Sequence, residues 1–326
     1  MLGKDDVSGL SGEVDATYQY NFGPFRLSSE ILIPELEGFA GSGHLPVSVK
    51  VGEVPTAIAG GACYGASCQV SRSEYLLRIP EVAGFYVRNG DSVLVDRVPA
   101  AQPADVSTFL LGSVFGALCH QNDLLPLHAS SVLSGSGVTA FLGDSGTGKS
   151  TLAACFQDRG YGIVSDDICV LAPEAATGQM KVIPLAGWLK LWRTSLDHLG
   201  EIPEEKNRVY SEDEKYRLYL EPHAWDRPEL ANLVFLTKAL EAGREPRLEP
   251  LSTAETLAGM MQLTYLGYIT ELTGSHERVF RQCARVLAKA KGYRLVVPWG
   301  FEGMGGVLHL LERELLGGVD AVSFEL

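Results

Sequence analysis

Positive charge is scarce in this chain. Of its 326 residues, 27 are Lys or Arg against 40 Asp or Glu, for a formal net charge of −13. Gripping a nucleic-acid backbone relies on clustered Lys and Arg, so nucleic acid is excluded as the expected partner, and an anionic membrane surface with it. Long hydrophobic runs are also missing. The most apolar stretch, VSTFLLGSVFGALC (106–119), is too short to span a bilayer of about 30 Å as a helix. Its Gly112 and Gly116 therefore read as the close-packed face of a buried helix. The opening MLGKDDVSGLSGEVD lacks the apolar core of a secretory signal. The six cysteines, Cys63, Cys68, Cys119, Cys155, Cys169 and Cys283, form no disulfide framework, and no second ligand pair with zinc spacing accompanies Cys63 and Cys68. A cytoplasmic location is the expectation. Cys155 and Cys169 fall in apolar stretches, where a free thiol serves as a small core residue.

What is present describes an ordinary globular protein, with 46% hydrophobic and 21% charged residues and a length that suits about two domains. Residues 1–102 have strand signals at 47–54, 74–80, 84–90 and 91–98, with Asn89–Gly90 as a hairpin turn. They predict a small, mostly β amino-terminal domain. A proline-bearing break then leads into an apolar connecting helix within 103–126. From residue 127 strands alternate with helices, the grammar of an α/β domain that runs to 326. Within it, LKLWRTSLDHLG (189–200) reads as one helix, which would space Trp188 and Trp192 by a helical turn. STAETLAGMMQLTYLGYITEL (252–272) reads as another, opened by Ser252 and Glu255 at capping-box spacing.

The chemistry concentrates in GDSGTGKST, residues 143–151. Gly143 to Ser150 satisfies G-x-x-x-x-G-K-[ST], follows a predicted strand and opens a predicted helix, which is the context the motif requires. Its glycines let successive backbone N–H groups turn inward on phosphate oxygens, with the helix N-terminus adding positive potential. Gly143, Asp144, Ser145, Gly146, Thr147, Gly148, Lys149, Ser150 and Thr151 are thus the candidate nucleotide-binding residues. Lys149 would reach the β- and γ-phosphates, and the Ser150 hydroxyl would ligate Mg²⁺.

Asp166 and Asp167 follow Lys149 by 17 and 18 residues, at the end of the next strand. Lying side by side with the loop strand, that strand would bring them to the phosphates, to hold Mg²⁺ or take a proton from an attacking hydroxyl. A GTPase would carry an Asp two residues after Lys238 to read guanine, and a transporter-type ATPase a later apolar strand ending in Asp-Glu. Neither is present. Cations beyond Lys149 are needed for transition-state charge. Lys190, Arg193, Lys215 and Arg217 are the candidates, with Lys215 and Arg217 expected just before a strand that ends near the site.

The run LHASSV…VTAFLGDSGTGKSTLAACFQDRGYGIVSDD (127–167) resembles the catalytic core of the HPr kinase/phosphorylase family. The shared residues are His128, Gly143 to Gly146, Gly148 to Ser150, Arg159, Gly160, Asp166 and Asp167. The resemblance implies an α/β P-loop kinase core with ATP and Mg²⁺ as cofactors. It implies catalytic roles for Lys149 and His128, metal binding by Ser150, and proton abstraction by an Asp of the pair. By position the base is assigned to Asp167, with Asp166 supporting the metal. The stretch VIPLAGWLKLW (182–192) departs from the bifunctional members, having neither an acid nor Arg-Gly. The segment PLAGWLKLWRTSLDHLG (184–200), followed by DEKYRLYL (213–220), is similar instead to a divergent branch whose kinases modify serine in lasso peptide precursors or sit near other peptide-tailoring genes. The expected acceptor is then a hydroxyl of a peptide or small protein, and a homo-oligomer is in keeping with the family. Two alternatives stay open: a small-molecule kinase related to phosphoenolpyruvate carboxykinase, and a nucleotide-gated peptide-binding module without catalysis.

Overall fold

A computed structural model describes residues 17–39, 43–185, 187–211, 213–221, 226–239, 245–297 and 300–317. The part of the amino-terminal segment before residue 17 lies outside them.

The first eight strands are β1 (Tyr18–Phe22), β2 (Phe25–Ser29), β3 (Leu45–Val51), β4 (Ala62–Tyr64), β5 (Cys68–Val70), β6 (Glu74–Ile79), β7 (Ala83–Arg88) and β8 (Ser92–Arg97). They make one eight-stranded sheet in the order β1-β2-β3-β8-β7-β6-β5-β4. The turn expected at Asn89–Gly90 joins β7 to β8, and both residues have positive φ, 54° and 74°. Side chains from this sheet share one apolar core with the next helical stretch and with Ile168, Val170, Ile183 and Trp188 further along.

That helical stretch is α1 (Pro103–Phe109), a π-helical turn (Leu110–Val114) and α2 (Phe115–Gln121). It buries Val106, Leu110, Leu111, Val114, Phe115, Leu118 and Cys119, so the apolar run 106–119 is a core element. Gly116 is its contact point. A Cβ there would sit 2.8 Å from the ring of Tyr265. No helix among the described residues is long and apolar enough to cross a membrane.

The remaining strands are β9 (Leu125–Leu127), β10 (Ala129–Ser134), β11 (Gly137–Leu142), β12 (Gly162–Ser165), β13 (Cys169–Pro173), β14 (Met180–Ile183), β15 (Trp188–Trp192), β16 (Lys215–Tyr219), β17 (Leu230–Lys238), β18 (Arg247–Pro250) and β19 (Lys291–Val297). A six-stranded sheet runs β12-β10-β11-β17-β19-β18, and β14-β13-β9 and β15-β16 form two smaller sheets. The molecule is mixed α/β. β11, β17 and β19 are parallel, whereas β10 runs antiparallel between β11 and β12. The strand carrying the aspartates is therefore not beside the loop strand, as the sequence suggested, but one strand removed from it. Both still end at the same edge of the sheet, where the antiparallel β10 begins.

The helices are α3 (Lys149–Gln157), α4 (Arg193–Leu199), α5 (Thr253–Gln262), α6 (Gly267–Thr273), α7 (His276–Val286) and α8 (Met304–Leu311). Leu152, Ala153 and Phe156 of α3 pack with Val307, Leu308 and Leu311 of α8 on one side of the large sheet. Met260, Val279 and Cys283 of α5 and α7 pack on the other. Among the cysteines only Cys63 is exposed, and all six are free thiols.

Two helix expectations need correction. WLKLW is strand β15, not helix. Its alternation puts Leu189 and Leu191 on the buried face beside Tyr216 and leaves Lys190 and Trp192 on the other face. The helix begins only at Arg193. The run from Ser252 is capped as expected, with reciprocal bonds between Ser252 and Glu255, but it breaks after Gln262 and restarts at Gly267. Residues 263–265 leave the helix to pair with the chain before β10. The Leu263 carbonyl accepts from the His128 N–H at 2.8 Å, and the Tyr265 N–H donates to Pro126 at 2.8 Å.

Candidate active site

The site collects at the edge of the large sheet where β11 and β12 end and β10 begins. Between β11 and α3 the glycine loop turns through left-handed backbone at Gly146 (φ 80°) and Gly148 (φ 99°), a conformation that costs a residue without Cβ little. The Thr147 hydroxyl donates to the Asp144 carbonyl and pins the loop (2.8 Å). Lys149 opens α3 and folds across the loop, its ammonium donating to the carbonyls of Gly143 (2.7 Å) and Asp144 (2.9 Å). Burial pulls its pKa down to about 8, against the opposing pull of Asp167 and Asp166.

Past β12, Asp166 and Asp167 lie in a three-residue turn closed by a 2.8 Å bond from the Ile168 N–H to the Asp166 carbonyl. Asp167 sits at its apex with φ 68°, left-handed backbone in a residue with a side chain. Such strain persists only where the surroundings enforce it, and it gathers at functional sites. The turn separates the two carboxylates chemically. Asp166 accepts from the Ser130 hydroxyl (2.6 Å) and from the Lys190 backbone N–H (2.7 Å). Burial raises its pKa, against these donors and the Ser150 hydroxyl, which also hydrogen-bonds it. Burial pushes Asp167 up too, but the charges of Lys190, His128 and Lys215 outweigh it and hold this carboxyl well below the usual range. Neighbouring acids pushed apart in this way are equipped for different tasks.

His128 directly precedes β10. Its ring Nδ1 lies 3.6 Å from Asp167 Oδ1, and the Tyr265 ring stacks beside it with centroids 5.9 Å apart. Burial lowers the His128 pKa, with Asp167 opposing. Lys190, from the centre of β15, donates its ammonium to Asp167 Oδ2 at 2.8 Å. His128, Ser145, Gly146, Gly148, Lys149, Ser150, Thr151, Asp167, Lys190, Trp192 and Lys215 line one small pocket of about 60 Å³. A second pocket of about 200 Å³ adjoins it across Gly146, Gly148, Thr151 and Trp192. It is lined mainly by apolar groups, including Leu152, Leu236, Val297, Phe301 and Met304.

Most of the residues chosen from sequence thus meet at one place. Arg217 does not. It lies on strand β16 itself, and its guanidinium points to Glu35 (3.3 Å) and the Thr108 hydroxyl (2.9 Å), joining the amino-terminal segment and α1 to β16. Glu35 claims this charge because both side chains are almost fully buried there. Lys215, also on β16 rather than before it, stays at the site, its ammonium 4.8 Å from the Trp192 ring centroid. Arg193 pairs with Asp197 on the surface of α4. Lys190, one of the four candidate cations, belongs to the site, and so does Ser130, which the sequence did not single out. The two-residue alternation of WLKLW was the signal that would have aimed Lys190 away from the core.

Among the described residues no group of three or more His, Cys, Asp and Glu is arranged to hold a metal. A nucleotide-borne Mg²⁺ asks for less, since one or two protein oxygens suffice when phosphates and water complete the shell. Ser150 and Asp166, hydrogen-bonded to each other beside the loop, offer a hydroxyl and a carboxylate of the right hardness.

No family model matches the chain, and no curated protein matches it. Among solved structures, the HPr(Ser) kinase/phosphatase from Coxiella burnetii aligns with 58% of this chain and 88% of its own, at 13% identity and a TM-score of 0.28. A likeness that slight carries no weight, and the functional reading rests on the site itself.

Proposed function

We propose that this chain is a P-loop kinase with an HPr-kinase-like core that moves the γ-phosphoryl group of ATP to a hydroxyl, serine in the first instance, of a peptide or small protein. The observation that carries the reading is the meeting, in one pocket, of the glycine loop with Lys149 and Asp167, while Asp166 stands behind the pocket wall on the Ser150 hydroxyl. The loop amides hold the phosphates, and the purine enters the adjoining apolar pocket. Mg²⁺ would be held by Ser150 and Asp166 and would neutralise charge between the β- and γ-phosphates. Lys149 leaves the loop carbonyls for phosphate oxygens and regains full charge there. Asp167, facing Lys190 and His128, orients the acceptor hydroxyl and takes its proton. Transfer of this kind depends on positioning and electrostatics, so loss of Lys149 is expected to abolish transfer while the fold stays intact.

Incubation with γ-labelled ATP, Mg²⁺ and a library of serine-containing peptides tests the proposal. Label on peptide supports it. Calorimetric uptake of ATP with no labelled product would favour the nucleotide-gated binding module, and label on a small alcohol alone the small-molecule kinase. Absence of ATP uptake would end all three.

A further inference from the structure

A second polar cavity lies between the β5–β6 turn and helices α2, α6 and α7. It measures about 330 Å³, and its lining shares no residue with either pocket at the loop. Arg72, Arg278 and Arg281 face it, together with Glu74 and Glu277. Both acids are engaged locally: Glu74 accepts from the Tyr86 hydroxyl, and Glu277 pairs with Arg281 at 3.4 Å. Arg278 is held at the cavity by the His120 carbonyl, 2.6 Å away, and by Asp123. Arg72 has no ion pair or hydrogen bond among the described residues. Helix α7 starts at the cavity through Ser275 without a side-chain cap, so its first N–H groups add positive potential.

A buried group supplies a second, independent observation. His120 lines the cavity at 3% exposure, and its Nε2 is 2.8 Å from the Tyr265 carbonyl. A carbonyl only accepts, so Nε2 carries the proton. Burial brings this imidazole to a pKa of about 4, leaving it neutral, and its Nδ1 lone pair has no hydrogen-bond partner. Buried acceptors are rarely left unsatisfied without a functional or solvent explanation.

We propose that this cavity is a second ligand site, for a small molecule carrying a phosphate or carboxylate together with a hydroxyl or amine N–H donor. Arg72, Arg278 and the start of α7 take the anion, and the donor turns toward the floor formed by His120. The site is separate from catalysis but lies close to it. His120 holds the Tyr265 backbone, and the Tyr265 ring stacks on His128.

The test uses the full chain carrying Lys149→Ala, so that the glycine loop does not compete for anions. Inorganic phosphate, free phosphoserine and succinate are titrated by calorimetry, while the His120 imidazole resonance is followed by NMR. Phosphate and succinate separate the two anion sources, and phosphoserine adds the donor. Saturable binding of at least one probe, a shift of the His120 resonance, and a tenfold or greater weakening by Arg72→Ala are expected. Arg72 is exposed and unpaired, so its loss leaves the fold in place, and Arg278→Lys is expected to weaken binding in the same direction. Binding by none of the three probes, or binding indifferent to Arg72→Ala, overturns the proposal without touching the kinase reading, which is tested by ATP uptake in the unmodified chain.

Discussion

Lys190 holds Asp167 by its ammonium at 2.8 Å, and its own backbone N–H reaches Asp166 at 2.7 Å. One residue of β15 therefore ties down both acids that follow β12, and it depresses one of them. Removing the ammonium while keeping the strand separates these effects. In Lys190→Met the backbone bond to Asp166 survives, and the Asp167 pKa rises because its principal positive neighbour is gone. Carboxyl titration followed by NMR checks this directly. Loss of a neighbour that also lines the pocket at the glycine loop is expected to cost the proposed transfer about tenfold to a hundredfold.

Asp167 carries two properties that substitutions can separate, its carboxylate and its left-handed backbone. Asn tolerates positive φ, so Asp167→Asn is expected to keep the turn and stability while transfer falls by about a hundredfold or more. Gly fits the backbone better still. Asp167→Gly should be at least as stable as Asp167→Asn in thermal unfolding, and equally inactive. Because the folded-state pKa of Asp167 is depressed, its ionisation adds stability above the unfolded value of about 4. That contribution is lost as pH falls through the folded value, and Asp167→Asn should flatten this acid limb of the stability curve.

The glycine loop, its lysine and the paired acids were legible because each is a local pattern whose chemistry depends on spacing a few residues apart. His128 was legible only through its neighbourhood in the sequence. Its position rests on the break of the 252–273 helical run, where residues 263–265 exchange helix bonds for bonds to Pro126 and His128. That is a tertiary preference, and helical periodicity gives no sign of it. Arg217 failed for a related reason. Its alternation along β16 matches that of Lys215, but a buried carboxylate some 180 residues earlier, Glu35, decides where the guanidinium goes. WLKLW was misread because four apolar residues around one lysine fit a short helix as well as a strand.

The Arg217–Glu35 contact makes its own prediction. Both side chains are nearly inaccessible, so Arg217→Met leaves an uncompensated carboxylate in the core and should destabilise by about 3–5 kcal/mol. Adding Glu35→Gln should recover a substantial part of that loss. Denaturant melts of the single and double variants give the coupling, and the ATP affinity of the double variant should match that of the parent, since Arg217 lies outside both pockets at the glycine loop.

Gly116 tests the packing behind His128. A methyl group there meets the Tyr265 ring at 2.8 Å, closer than real contacts allow, and Leu266 at 2.9 Å. Gly116→Ala must move one or both, at a cost of about 1–3 kcal/mol by thermal or chemical melt. Tyr265 stacks on His128, so the displacement should also shift the His128 imidazole resonance. A far-surface glycine change such as Gly60→Ala would leave that resonance alone.

Lys149 sets the sign of the pH dependence expected for the proposed nucleotide binding. Burial leaves its ammonium with a pKa of about 8 while it caps the Gly143 and Asp144 carbonyls, and only the protonated form attracts phosphate. Binding a triphosphate places negative charge beside it and raises that pKa, so uptake of ATP draws a proton from solution. ATP affinity should hold steady below about pH 7 and fall as pH rises through 8, by up to tenfold per pH unit until the bound-state value is reached. Calorimetry in buffers of different ionisation enthalpy measures the proton directly, and uptake should be near zero at pH 6 and largest above pH 8. Lys149→Arg removes the titration from this range, because a guanidinium stays charged throughout. Its affinity, whatever its absolute value, should be flat across the same interval.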